Sequence, residues 1–149
     1  MIRTVLMTPA LTCHNWHLVK DYLQAAIDHG VNETPLEFWL SRILNLQAQL
    51  WVFMRDDQIV GAGVTQFIEY TTHRTLHLVL CGGIDWDEWA DQYYVVEEFA
   101  KKNGCRAVEQ WGRKAWTKLL KEKIPGFETV YYVMRKELDR NTTDENQIT

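Results

Sequence analysis

The sequence predicts an α/β domain (mixed α+β), a central mixed sheet of about six strands flanked by about four helices. Two observations predict it. The apolar spacing switches repeatedly between helical and strand periods, in the order β-α-α-β-β-β-α-β-α-β. Three strands follow one another directly in the middle of the chain, where neighbours pair antiparallel, whereas the last strands are separated by helices and need crossover connections. A length of 149 residues with 46% hydrophobic and 24% charged residues suits one folded domain of ordinary size.

The elements follow in order. Ile2, Val5 and Leu6 mark a first strand within residues 1–8. Trp16, Val19, Leu23, Ala26 and Ile27 fall on one helical stripe over 15–29, and Gly30 stops it. Thr34-Pro35-Leu36-Glu37 reads as a helix start, with Thr34 as cap, Pro35 in the first turn and Glu37 completing a capping box; the apolar face runs to about residue 47. Leu50–Met54 and Ile59–Ile68 form a hairpin across Asp56-Asp57, and Gly61 and Gly63 mark a bulge or a close approach by another backbone. Thr75–Cys81 is an apolar central strand that Gly82-Gly83 should break. Asp85 then caps a helix with Glu88 as its capping-box partner; Trp86, Trp89, Tyr93, Val96 and Phe99 give the buried face, and Asn103-Gly104 end it. A short strand over 106–110, a basic helix over 113–123, a stop at Pro125-Gly126 and a last strand from Phe127 to Leu138 complete a single domain over 1–138, with 139–149 as a polar tail.

Composition narrows the function. A net charge of −4 and a pI of about 5.7 remove the electrostatic drive for general nucleic-acid binding. No apolar run reaches the ~18–20 residues needed to span a bilayer, and the N-terminus lacks the apolar core of a secretory signal. Three widely spaced cysteines, Cys13, Cys81 and Cys105, argue against a disulfide framework or a zinc site and for a reducing compartment. Seven tryptophans imply an aromatic core, with some available to anchor a partner.

The element order, together with Ile59-Val60-Gly61-Ala62-Gly63 in the hairpin and Lys123-Ile124-Pro125-Gly126-Phe127 after the last helix, resembles the GNAT (GCN5-related N-acetyltransferase) fold over residues 1–138. The stretch Glu109–Trp116 and Arg135-Lys136-Glu137-Leu138 is also similar to small GNAT-like proteins of tailed bacteriophages. The GNAT resemblance implies acetyl-CoA, whose pyrophosphate is received by a Gln/Arg-x-x-Gly-x-Gly/Ala loop at a helix start. Here that place reads Cys81-Gly82-Gly83-Ile84-Asp85-Trp86-Asp87-Glu88, with the glycines too early and three carboxylates on the first turn. Two like charges ~5 Å apart cost about 1–3 kcal/mol at intermediate dielectric. The Tyr that many members use as general acid is also missing from Leu119–Lys123. The expectation is therefore a non-catalytic GNAT-like binding or assembly module with no cofactor. It would be phage-encoded and a possible virion component, in the host-cell cytoplasm or the particle, with a protein partner such as a phage structural protein. The alternative is an N-acetyltransferase using acetyl-CoA through a divergent pyrophosphate loop.

Residue candidates follow from these two readings. Glu69 and His77 are a candidate acid–base pair for amine deprotonation. Cys81, Gly82 and Gly83 are candidates for the cofactor cleft, and Cys81 is also weighed as a nucleophile. His14 and His17 have ligand spacing but no third ligand near them. Trp86, Trp111, Arg113, Lys114 and Trp116 form a candidate aromatic and basic interface at the carboxyl end of the sheet.

Overall fold

The computed structural model describes residues 1–30, 33–112 and 114–139. Five strands form one sheet in the order β1-β2-β3-β4-β5: β1 (Ile2–Leu6), β2 (Gln49–Arg55), β3 (Gln58–Glu69), β4 (Arg74–Gly83) and β5 (Cys105–Gln110). The first four pair antiparallel, and β4 pairs with β5 in parallel. The helices are α1 (Pro9–Asp28), α2 (Leu36–Leu44), the single turn α3 (Trp86–Trp89), α4 (Tyr93–Lys102) and α5 (Lys114–Lys123). Among the described residues no helix is long and apolar enough to cross a membrane.

The sheet is apolar on both faces, as the sequence of β2 requires. Alternate residues of Leu50-Trp51-Val52-Phe53 go to opposite sides. Leu50 and Val52, with Ala62 and Val64, pack under Val19, Leu23, Trp39 and Ile43 of α1 and α2. Trp51 and Phe53 pack with Val60, Leu76, Trp89 and Val96 on the other face. Two bulges shape this sheet. Between β2 and β3 the register passes from Phe53↔Gly61 to Met54↔Ile59, so Val60 is the extra residue and turns to the second core. Between β3 and β4 it passes from Val64↔Leu80 to Thr65↔Leu78, leaving Val79 as the extra residue.

Several expectations need correction. Among the described residues the sheet has five strands, not six, because Phe127–Leu138 joins no ladder. Its alternation of apolar and polar residues is strand-like, but a strand also needs a face to bury. Val130, Tyr132 and Met134 stay 77–93% exposed, and the segment meets the domain at points such as Phe127 against Tyr93 and Arg135 against Glu33. The first helix begins at Pro9, six residues early, because Thr8 caps it: its Oγ1 accepts from the Leu11 N–H at 3.2 Å. Thr34 does not cap α2; Pro35 holds that position without a side-chain hydrogen bond. The helix expected from Asp85 to Asn103 is interrupted by a 3-10 turn at Ala90–Gln92.

Gly82-Gly83 do not break the central strand; they extend it. A Cβ at Gly82 would lie 2.3 Å from the Tyr22 carbonyl oxygen of α1, so this glycine lets helix and strand backbones touch. Gly82→Ala is expected to destabilise the fold by about 1–3 kcal/mol through overpacking, measured as a lower midpoint in denaturant titration. A neutral effect would mean that α1 shifts freely. At Gly61 the expected bulge lies alongside, at Val60, and the group that a Cβ would meet first is a side chain, the Trp89 ring at 2.8 Å.

Candidate functional site

Strands β4 and β5 pair only from Arg74↔Cys105 to Leu78↔Gln110, while β4 continues to Gly83. The ladder ends with Gln110, the last residue of β5, so the end of β4 beyond Leu78 has no partner on that side, and the bulge at Val79 in the β3–β4 ladder sits at the same point. A cleft of about 810 Å³ lies beside this unpaired end of β4, lined by residues from both faces of the sheet. His77, Gln110 and Trp111 line it where the ladder ends, and Trp86, Tyr93 and Trp116 line it toward α4 and α5. A cleft of this size, mostly apolar with a few polar groups, is the general form of a small-molecule site.

His77 is the buried titratable group of the cleft, at 6% exposure. Trp111 lies over the imidazole, with ring centres 4.2 Å apart. Glu109 holds that cover in place. Its Oε2 accepts from the Trp111 indole N–H at 3.1 Å and from the Tyr70 hydroxyl at 2.9 Å. Burial pushes the His77 pKa down to about 4, against the opposing pull of the Glu109 charge, so the ring is neutral at neutral pH. On its other side Gln66 Nε2 approaches His77 Nδ1 at 3.4 Å, and Arg42 Nη2 donates to Gln66 Oε1 at 3.3 Å.

The expected acid–base pair does not form. Glu69 is tied to Arg74 at the far end of the β3–β4 hairpin, and the residue opposite His77 is Gln66. Cys81 lines the cleft, but burial pushes its thiol up to about 12, which removes the thiolate a nucleophile needs. Gly82 and Gly83 also line it as part of β4. His14 and His17 belong to no metal-binding group among the described residues.

The turn after β4 differs from the expectation in its details. Asp85 does not cap α3 with its side chain; its backbone is left-handed, at φ 55°, and its carboxylate turns to Arg55. Arg55 Nη1 donates to Asp85 Oδ2 at 2.8 Å and to Glu88 Oε2 at 2.6 Å, while Lys123 of α5 meets Asp87 at 3.2 Å. Each carboxylate of the first turn is therefore paired with a cation, and the turn is tied to β2 and α5.

The aromatic candidates separate into two groups. Trp86 and Trp116 meet edge to face at 5.0 Å on the α5 side of the cleft, and Trp111 is 57% exposed above His77. Lys114 opens α5, and Arg113 lies outside the described residues. Sequence reasoning missed Arg42, Gln66 and Gln110. The facing of Gln66 and His77 follows from the unbroken register that runs from the turn at Glu69↔Arg74, whereas Arg42 reaches Gln66 from α2 through a tertiary contact that periodicity does not reveal.

No protein-family model and no curated protein matches the chain. Solved structures do match. An aminoglycoside acetyltransferase from an uncultured soil metagenomic sample, in complex with sisomicin, superposes with a TM-score of 0.70 at 12% identity, over 93% of this chain and 97% of that one. A GNAT family acetyltransferase of Staphylococcus aureus gives 0.66 at 15% identity, over 92% and 98%. A ribosomal-protein-alanine N-acetyltransferase of Brucella melitensis gives 0.64 at 12%, over 91% and 99%. The chain therefore has a GNAT-like acetyltransferase fold.

Proposed function

We propose that the protein is an N-acyltransferase that receives an acyl thioester such as acetyl-CoA in the β4–β5 cleft. The observation that carries this reading is the cleft beside the unpaired end of β4, with a buried polar group, His77, next to the point where the parallel β4–β5 ladder ends. That the similar structures are acetyltransferases supports it, although function rests on the site rather than on the fold.

The two ends of such a donor fit differently. The mostly apolar cleft suits an aliphatic arm carrying a carbonyl. The start of α3 does not suit a diphosphate: the helix is a single turn, and its carboxylates already occupy the nearby cations Arg55 and Lys123. The diphosphate is therefore not assigned to this turn.

Calorimetric titration with acetyl-CoA tests the reading, followed by mass spectrometry of acetyl transfer to a panel of primary amines. Binding with a dissociation constant below about 100 μM, roughly 5.5 kcal/mol, is expected, with acetylated amine as product. Absence of binding at about 1 mM to folded protein would exclude it. That outcome would leave the second reading, a non-catalytic assembly module of the phage type. The exposed apolar run Val130–Met134 beyond α5 favours that reading as a surface for a protein partner.

A further inference from the structure

Histidine in a cleft is usually read as a proton acceptor, but the partners of His77 point the other way. Arg42 is a donor only. It is held at the end of α2 by donating from Nη2 to the Gln47 carbonyl at 3.2 Å, and the same nitrogen reaches Gln66 Oε1 at 3.3 Å. The Gln66 amide oxygen must therefore face Arg42, which turns its NH₂ group toward His77 Nδ1. A nitrogen that faces an N–H donor must accept, so in the neutral ring the proton resides on Nε2. Nε2 makes no hydrogen bond to the described residues and is not among the sealed, unpartnered polar atoms.

We infer that His77 is a fixed hydrogen-bond donor, held in its Nε2–H form by the chain Arg42–Gln66–His77, and that this end of the cleft receives a carbonyl oxygen rather than an amine proton. The charged groups facing the ring are Arg42 on α2, behind Gln66, and Glu109 on β5. Trp111 covers it. The tautomer follows from these contacts alone; the identification of the carbonyl as that of an acyl donor rests on the proposed function.

Long-range proton–nitrogen NMR of ring-labelled histidine reads the tautomer directly in the ligand-free protein. His77 is expected to show a protonated Nε2 and a bare Nδ1 at neutral pH; a proton on Nδ1 would overturn the inference. Gln66→Glu keeps a partner for Arg42 but faces the ring with an acceptor, so the proton should move to Nδ1. Gln66→Leu removes the preference and should give a mixture. If both variants keep the wild-type form, the chain does not set the tautomer. Acetyl-CoA should then shift the Nε2 proton signal. Binding without that shift overturns the carbonyl assignment. Absence of binding overturns the acyltransferase reading and the carbonyl assignment with it, while the ligand-free tautomer is decided by its own signals.

Discussion

Trp89→Ala should lower the unfolding free energy by about 3–5 kcal/mol, the cost of removing a buried aromatic ring that its surroundings do not refill. Trp89 is 2% exposed and stacks on Phe53 with ring centres 4.4 Å apart and planes within 16°. It meets Trp86 edge to face at 4.7 Å, and its indole N–H donates to the Ile84 carbonyl at 2.6 Å. Truncation thus opens a cavity between the sheet and α3 and orphans a carbonyl at the turn that closes the cleft. Denaturant titration measures the effect. Trp111→Ala is the contrast: this ring is 57% exposed, so its loss should cost less than about 1 kcal/mol. A drop of several kcal/mol for Trp111, or a neutral Trp89→Ala, would reverse the division of these tryptophans into core and cleft.

That division was only partly legible in the chain. Periodicity locates β2, β3, β4, β5 and the buried faces of α1 and α2, because burying an apolar stripe is what makes those segments ordered. It misses the start of α1, since the first turn at Pro9 is stabilised by a Thr8 cap and not by the stripe that begins at Trp16. It invents a sixth strand, since Phe127–Leu138 alternates correctly but buries neither face against the domain. Capping rules fail at Asp85 because Arg55, distant in sequence and adjacent in space, takes the carboxylate instead. Gly82-Gly83 read as a strand break, because the sequence does not show that α1 at Tyr22 packs so close that β4 needs glycine there. The candidate site was half visible. His77 stands out as a histidine in an apolar strand, whereas Gln66 matters through the exact strand register and Arg42 through a tertiary contact from α2.

The burial of His77 should make the protein lose stability in mild acid. Burial holds the folded imidazole near 4, below the ordinary value of about 6.5 that the unfolded chain keeps. Between these two values the unfolded chain binds a proton that the folded protein refuses, so falling pH favours unfolding. The stabilisation is fully present above pH ~6.5 and is lost as pH falls toward ~4, amounting to about 3 kcal/mol at 1.36 kcal/mol per unit. His77→Gln removes the titrating group while keeping a polar side chain opposite Gln66. The gap in unfolding free energy between wild type and this variant should be constant above neutrality and shift by that amount, against the wild type, on descent to pH 4. A gap that does not change with pH would mean that the folded protein protonates His77 freely. Trp111→Ala supplies the internal check, because uncovering the ring reduces its desolvation. In that variant the His77 pKa should rise toward the ordinary value, and the acid loss should shrink with it, even though the ring removed contributes little to stability at neutral pH.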